Sequence, residues 1–169
     1  MKSESESSDH QLGPRCYFEL EKHVPYLMNR VGFQIADAFE ARLGAEGLTL
    51  PMWRVLVVLR SGMVRRISDL AEPTSLEPST LSRLVKAMER TALLKRSRSA
   101  EDERSINVSI TARGHRAVET MIPIALALEN ELLGGLKKDE IATFRNLLAR
   151  LNTIKCAGLE QRVTNANEL

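Results

Sequence analysis

The spacing of apolar residues predicts that most of the chain is helical. From Val24 to about Leu43, apolar residues recur every three or four positions, which is the repeat of one helix face. Pro25 suits the first turn of this helix, because the N–H that proline lacks would have no intrahelical partner there. A second helix is predicted from a Thr49 cap to about Arg60, and a serine and a glycine close it.

The next two segments predict a short helix followed by a longer one. Ser68 is placed to cap a helix from Asp69 to about Ser75. Pro73 lies inside that helix and removes a backbone donor, so we expect the helix to be short or distorted. The longer helix is predicted from Pro78 to Thr91, with an inward apolar stripe formed by Leu81, Leu84, Val85 and Met88.

The hydrophobic period changes to two after this helix, which predicts strands. Apolar and polar residues alternate from Ile106 to Ile110, the pattern of a half-buried strand. A basic segment, residues 95–98, precedes it, and the polar residues 99–104 separate the two. We therefore predict a β-hairpin from Leu94 to Ile110.

Helical spacing returns in the C-terminal part of the chain. Thr111 is predicted to cap a helix that runs to about Leu133. Pro123 predicts a kink in this helix rather than its end, because the apolar pattern continues beyond it. After a pair of glycines, a last helix is predicted from about Lys138. The predicted fold class is mainly α with a small β-hairpin.

Composition places the chain among ordinary globular proteins. Its hydrophobic fraction is 43% and its charged fraction 27%. No run of about 18 apolar residues is present, so no membrane span is predicted. Residues 1–12 are polar and acidic and lack the apolar region of a secretory signal, which predicts a disordered tail and a cytoplasmic protein. Cys16 and Cys156 lie far apart without metal-type spacing, and we expect two reduced thiols.

Basic charge is concentrated in the middle of the chain. The net charge is only +2, but residues 54–116 hold 13 Lys and Arg against 7 Asp and Glu, a balance of +6. The rest of the chain holds 11 basic and 15 acidic residues, a balance of −4. Such a local positive field suits a polyanion such as DNA. The alternative is a charged face that serves only solubility.

The short helix, the turn and the longer helix form a predicted helix-turn-helix, whose second helix enters a major groove of DNA. Arg83 is the candidate for base recognition, since a guanidinium can bind guanine O6 and N7 together. Short hydroxyl side chains and a lysine suit phosphates. The alternative is a solvated polar face. The predicted DNA contacts of this motif are Ser68, Ser79, Thr80, Ser82, Arg83 and Lys86.

The hairpin supplies a second set of candidate DNA contacts. Arg96, Arg98 and Arg104 lie within a few residues of its tip, from which they could reach a minor groove. Asp102 is also included in the predicted interface. It is either a solvated turn residue or a partner that fixes the direction of Arg104 or a nearby arginine.

These segments resemble the MarR family of winged helix-turn-helix regulators. The similarity rests on residues 67–71, 79–85, 101–104 and 108–114, which include the Asp-x-Arg and Ile-Thr-x-x-Gly pattern of the wing, and it extends from about Val24 to Leu151. The resemblance implies an obligate homodimer, built from the N- and C-terminal helices, that binds a palindromic operator. It also implies a repressor that is relieved by a small, often aromatic, ligand.

Three residues depart from the pattern of that family. Ala92 stands where the family usually has glycine after the recognition helix, so the helix must end without the residue best suited to positive φ. Pro73 interrupts the short helix. Pro25 occupies the position of a reactive cysteine found in some oxidation-sensing relatives, and peroxide sensing is therefore not transferred to Cys16.

The apolar faces of the flanking helices also predict a dimer. These helices lie outside the DNA-binding core, and a two-fold partner would bury them while placing two recognition helices about 34 Å apart. The alternative is an ordinary intramolecular core. The predicted organisation is a disordered tail at 1–16, a dimerisation helix at 17–47, a winged helix-turn-helix lobe at 48–116, C-terminal dimerisation helices at 117–158 and a flexible end at 159–169.

A small aromatic or phenolic effector is predicted between the dimerisation helices and the lobe. Each candidate has a structural or solvent-exposed alternative role; the candidates are His23, Tyr26, Arg30, Trp53, Arg60 and Met63. No metal, cofactor or catalytic constellation is predicted, because the histidines combine with no cysteine or carboxylate at ligand spacing. The competing hypothesis is a helical interaction module without DNA binding, and the basic wing argues against it.

Overall fold

Six α-helices and a three-stranded sheet make up the part of the chain that the computed structural model describes, residues 18–63, 65–98 and 105–154. The helices are α1 (Val24–Ala45), α2 (Leu50–Leu59), α3 (Ala71–Thr74), α4 (Pro78–Arg90), α5 (Ala112–Leu133) and α6 (Lys138–Asn152). The strands are β1 (Arg65–Arg66), β2 (Leu94–Arg98) and β3 (Ile106–Ile110). The mainly helical fold with a small hairpin is confirmed.

Local capping fixes two of the predicted helix starts. The Thr49 side chain accepts a hydrogen bond from the Met52 amide at 3.4 Å, and the Thr111 side chain accepts one from the Gly114 amide at 3.1 Å. Both caps satisfy a first-turn N–H that has no partner within the helix. Helix α5 continues through Pro123, as the apolar pattern predicts.

The predicted start of the third helix is wrong. A 3-10 turn begins at Ile67, with Arg66 before it, and Ser68 lies inside that turn. The Ser68 hydroxyl donates to the Asp69 carboxylate at 3.1 Å and caps no helix. Helix α3 covers only four residues, with Pro73 as its third, and Ser75 ends it in a left-handed conformation at φ +55°. The expected shortness of this helix is confirmed.

The two strands of the hairpin, β2 and β3, belong to a three-stranded antiparallel sheet with the strand order β1-β3-β2. Leu94 pairs with Ile110 at one end of the hairpin, and Arg98 pairs with Ile106 at the other. Strand β1 adds to the far side of β3 through the Arg65–Val108 pair, and the sequence pattern did not predict it. The hairpin is thereby anchored to the segment just before the helix-turn-helix.

A single core lies between the helix-turn-helix, the sheet and α5. Its fully buried members come from the helices and strands of the lobe and include Leu56, Leu70, Leu81, Val85, Met88, Val108 and Met121. Burial of a large apolar side chain stabilises a fold by about 1.5–3 kcal/mol, so this cluster fixes α4 and the hairpin as one body. Within the described ranges, no helix is long and apolar enough to cross a membrane.

Candidate nucleic-acid interface

Helix α4 has one buried face and one exposed polar face. Leu81, Val85 and Met88 are completely buried. The exposed face carries the predicted Ser79, Thr80, Arg83 and Lys86, together with Arg90. Ser82 is half-buried and lies at the border between the two faces. The face therefore presents short hydroxyls near the helix start and a row of cations behind them.

The cations of α4 follow one another at helical spacing. Arg83, Lys86 and Arg90 are three and four residues apart, so they form one stripe along the exposed surface. The Arg83 Nε donates to the Ser79 carbonyl at 3.4 Å, which directs the guanidinium toward the first turn. Arg90 is absent from the sequence-based candidates, although the same periodicity would have found it.

The first turn of α4 is suited to an anion. Pro78 is its first residue, and no side-chain hydrogen bond from Glu77 caps the helix. The amides of the first turn have no intrahelical partner, and they carry the positive end of the helix dipole. A phosphate is a natural acceptor for such amides.

The wing brings Lys95 and Arg98 to the surface. Both side chains are exposed on β2, and Arg98 is the last residue of the strand. The predicted contacts Asp102 and Arg104 lie outside the described residues. Among the described residues of the recognition helix and the wing, the exposed cations are therefore the α4 stripe together with Lys95 and Arg98.

Arg96 differs from Arg98, the other described wing contact, because an acid binds it. Its Nε donates to Glu89 Oε2 at 2.7 Å, its Nη2 lies 2.6 Å from the same oxygen, and its backbone N–H donates to Oε1 at 3.2 Å. The hydrogen bond from Arg96 lowers the pKa of the Glu89 carboxyl. No local sequence signal indicates this pair, because it joins the end of a helix to a strand.

The turn between α4 and β2 is tightly restrained. The Leu93 amide donates to the Met88 carbonyl at 3.0 Å and the Ala92 amide to the Glu89 carbonyl at 2.9 Å, the two bonds of a Schellman motif. Ala92 holds the left-handed position at φ +54°. The expectation that this helix must end without glycine is confirmed.

The start of α5 forms hydrogen bonds to the same turn and packs closely against it. The Thr111 hydroxyl lies 2.7 Å from the Ala92 carbonyl and 3.1 Å from the Leu93 carbonyl, and its amide donates to the Leu93 carbonyl at 3.2 Å. Gly114 packs so closely that an added Cβ would collide with the Leu93 carbonyl oxygen. The recognition helix, the wing and α5 therefore meet in one rigid joint.

The six effector candidates have different contacts in the described part of the chain. Arg60 forms a double contact with Glu119, at 2.8 and 3.3 Å, which lowers the pKa of the Glu119 carboxyl. Trp53 packs edge-on against Phe39 with ring centroids 5.3 Å apart. The other candidates, His23, Tyr26, Arg30 and Met63, are spread from the start of α1 to the end of the turn after α2.

The aromatic candidates on α1 have local partners. The Arg30 Nη1 donates to the Tyr26 hydroxyl at 3.3 Å, and its guanidinium lies 5.8 Å from the centre of the Tyr26 ring. The His23 ring lies 4.9 Å from that of Phe18. None of the six candidates lines the cavities of about 590, 250 and 370 Å³ found beside α6, behind the end of α4, and along α6.

A large apolar surface lies outside the helix-turn-helix and the wing, on α1 and α6. It is built from exposed side chains of α1 and α6, and its groove of about 590 Å³ is lined by Met28, Leu148, Ala149, Leu151, Asn152 and Ile154. Other exposed apolar side chains of the two helices are Val24, Leu27 and Val31 on α1, and Phe144 and Leu147, which line a second groove along α6. Apolar side chains exposed in this number are uncommon on a monomer and indicate an interaction site.

The helix-turn-helix, the hairpin wing and the basic stripe of α4 define a winged-helix DNA-binding protein. A model of the SarA/Rot transcriptional regulators matches residues 39–121. An HTH-type transcriptional repressor of Mycobacterium tuberculosis is 26% identical over 128 residues, which span 76% of this chain and 92% of that protein. The chain is a transcriptional regulator of the MarR and SarA type.

Solved structures agree with this assignment. A MarR-family regulator from Silicibacter pomeroyi has a TM-score of 0.70 at 26% identity, over 79% of this chain and 90% of that one. Two further structures support the fold alone. Bordetella bronchiseptica BpsR, whose DNA binding is described as regulated by 6-hydroxynicotinic acid, has a TM-score of 0.76 at 23% identity, over 82% and 99% of the two chains. A mutant of Escherichia coli MarR, complexed with operator DNA, has a TM-score of 0.70 at 22% identity, over 75% and 91%. A helical interaction module without DNA binding is not favoured.

Proposed function

We propose that the protein is a ligand-responsive repressor that binds a palindromic operator as a homodimer. The observation that carries the proposal is the exposed face of α4, where Ser79, Thr80 and Arg83 project from the N-terminal half of a helix whose other face is completely buried. A major groove is wide enough to admit such a helix. The 26% identical relative is named a repressor, which supports the same role here.

Within this proposal the side chains divide into two roles. Arg83 contacts a base edge, because it is the one cation in the N-terminal half of α4 and its guanidinium can bind guanine in two places. Ser79, Thr80, Ser82 and Lys86 contact phosphates or sugars, which fix the register without specifying sequence. Ser68, at the start of the helix-turn-helix, and Arg98, on the wing, extend the phosphate contacts to either side.

The apolar surface of α1 and α6 supports a homodimer. Val24, Leu27 and Met28 are between 43% and 58% exposed in the single chain, and so are Leu151 and Ile154, which line the groove from α6 and the residues after it. A second copy related by a two-fold axis would bury this surface and place a second recognition helix one helical turn of DNA away. A palindromic operator is the DNA counterpart of that symmetry.

Ligand control is supported by one of the similar structures and by the chemistry of the candidate residues. BpsR has the same fold, and its DNA binding is described as regulated by a small aromatic acid. Tyr26 and Arg30 on α1 could hold such an acid by stacking and charge, and His23, Trp53, Arg60 and Met63 lie on the neighbouring segments. Because Arg60 already binds Glu119, a ligand carboxylate would have to replace that partner.

The test is selection of DNA fragments by the purified full-length protein, followed by sequencing. A palindromic consensus is the expected result, and enrichment of no sequence would contradict the proposal. On the selected duplex, Arg83→Ala should cost about 1–3 kcal/mol and relax preference at one base position of each half-site. Lys86→Ala should weaken binding to all DNA sequences alike and lower the slope of log K against log salt by about 1. The matched control is Arg150→Ala, at an exposed position on α6, which should change neither the operator affinity nor the salt slope.

A further inference from the structure

The contact between Glu89 and Arg96 joins the recognition helix to the wing. One carboxylate receives three contacts from Arg96: Nε at 2.7 Å and Nη2 at 2.6 Å to Oε2, and the backbone N–H at 3.2 Å to Oε1. The two side chains are only 27% and 34% exposed, whereas two other arginine–carboxylate pairs, Arg60–Glu119 and Arg145–Glu129, have arginines at least half exposed. Charge-assisted bonds with several donors on one carboxylate are directional, so the pair fixes an angle as well as a distance.

The pair lies where a small change of angle would displace the end of the wing strand. Glu89 is the penultimate residue of α4, and Arg96 is the third residue of β2. In the described sheet β2 is an edge strand, so its outward amides have no strand partner there, and Glu89 satisfies the one at Arg96. At about 3.3 Å per residue, Arg98 lies about 7 Å further along the strand, so a rotation of about 10° at Arg96 would move it by about 1 Å.

We propose that Glu89 and Arg96 are positioning residues that set the angle of the wing against the recognition helix, and that Arg96 itself does not contact DNA. The inference rests on the proposed function, since its consequence is the alignment of the wing cations with the α4 stripe. When the Nε and Nη2 of an arginine both contact a partly buried acid, that edge of the guanidinium is occupied and its charge is offset by the carboxylate, so it is poorly placed to bind a phosphate. The wing contact is then supplied by Arg98, two residues further along β2.

The opposite assignment, Arg96 as a phosphate contact, makes a different prediction. Under that assignment Glu89 competes with DNA for the guanidinium, and Glu89→Gln should raise the affinity for the operator. Under positioning, Glu89→Gln should lower the affinity for the selected operator at least threefold, because the wing is released. Glu72→Gln, on the exposed face of α3, removes an acid from the same lobe and controls for the general change in charge.

The experiment measures operator affinity against salt for the full chain and the variants Glu89→Gln, Arg96→Gln, Arg96→Lys and the double variant Glu89→Gln/Arg96→Gln. We expect similar losses in the three single variants, no further loss in the double variant, and an unchanged salt slope. Higher affinity in Glu89→Gln, or a slope lowered by about 1 in Arg96→Gln with affinity kept in Arg96→Lys, would overturn the proposal.

A second measurement on the free protein separates this inference from the proposed function. Hydrogen exchange of the Arg96 amide should accelerate at least tenfold in Glu89→Gln relative to the wild type and to Glu72→Gln, while the α4 amides of Val85 and Met88 stay protected. Unchanged exchange at Arg96 would contradict the inference whether or not the protein binds DNA. Absence of operator binding by the wild type, with the accelerated exchange present, would contradict only the proposed function.

Discussion

Replacing Ala92 with glycine should stabilise the protein. Ala92 holds φ +54°, in the left-handed region where Cβ approaches the following carbonyl oxygen. That conformation costs an L-residue about 1–2 kcal/mol, and glycine does not incur the cost. Glycine also raises the entropy of the unfolded chain, which lowers the stability by about 0.5–1 kcal/mol and offsets part of this gain. We therefore expect Ala92→Gly to raise the free energy of unfolding by about 0.5–1 kcal/mol.

The same motif elsewhere in the chain supports this estimate. At the end of α1, Gly47 occupies the equivalent position at φ +69°, and the Leu48 amide donates to the Leu43 carbonyl at 2.9 Å. The corresponding Leu93–Met88 bond measures 3.0 Å. Since the hydrogen bonds match, the two ends differ mainly in the methyl group that Ala92 carries into the left-handed region.

Urea denaturation of the full-length protein at fixed concentration measures the effect, because dimer formation would make apparent stability depend on concentration. A gain of about 1 kcal/mol in a chain of this size corresponds to a shift of about 2–4 °C in Tm. The matched control is Ala87→Gly, the same substitution inside α4, which should destabilise by about 1 kcal/mol. If both substitutions destabilise to the same extent, the strain assigned to Ala92 is refuted.

Three further substitutions test neighbouring parts of the joint and the lobe. Gly114→Ala should destabilise by about 1–3 kcal/mol, because the new methyl would overlap the Leu93 carbonyl oxygen and lie 2.7 Å from Ile110 Cγ1; Gly44→Ala, with nothing within 4 Å, should not destabilise. Thr111→Ala should cost about 0.5–2 kcal/mol by thermal denaturation, since it removes the α5 cap and the hydroxyl contact to the Ala92 carbonyl, and a neutral result would contradict both roles. Glu119→Gln should lower Tm at pH 7, where the hydrogen bond and charge of Arg60 favour the carboxylate. Since its folded pKa lies below the unfolded value of about 4.3, this stabilisation is present above that value and is lost as pH falls through the folded pKa. The Tm difference between wild type and variant should therefore vanish in acid, and a difference that persists undiminished well below the folded pKa would contradict the assignment.

The parts of the fold that follow from the sequence are those governed by local rules. The apolar period placed α1, α2, α4, α5 and α6, and a change of period placed the hairpin. Threonine caps at Thr49 and Thr111 were predicted because the capping bond reaches only three residues along the chain. The face of α4 followed from the same periodicity, which is why its exposed residues could be named in advance.

The errors and omissions come from contacts between distant segments. Strand β1 is two residues long and exists only because β3 pairs with it, so no period could reveal it. Ser68 has the chemistry of a cap, but the helical turn begins two residues before the predicted start, at Ile67, and Leu70 at its end is buried in the core. The Arg60–Glu119 and Glu89–Arg96 pairs likewise depend on how α2, α4, α5 and β2 pack. These two ion pairs can therefore be identified only from the three-dimensional structure.

The restraints on the α4–β2 turn bear on how strain is kept at Ala92. The Schellman bonds fix the turn from the side of α4, and the Thr111 hydroxyl fixes it from the side of α5. A left-handed alanine persists only where its surroundings over-determine the backbone, and this turn meets that condition. Relief of the strain by glycine should therefore leave the turn in place, since none of these hydrogen bonds involves the Ala92 side chain. It follows that Ala92→Gly should change stability without changing operator affinity, whereas Glu89→Gln should change operator affinity more than stability. Ala92→Gly changes the conformational energy of the α4–β2 turn, whereas Glu89→Gln changes the angle between α4 and the wing.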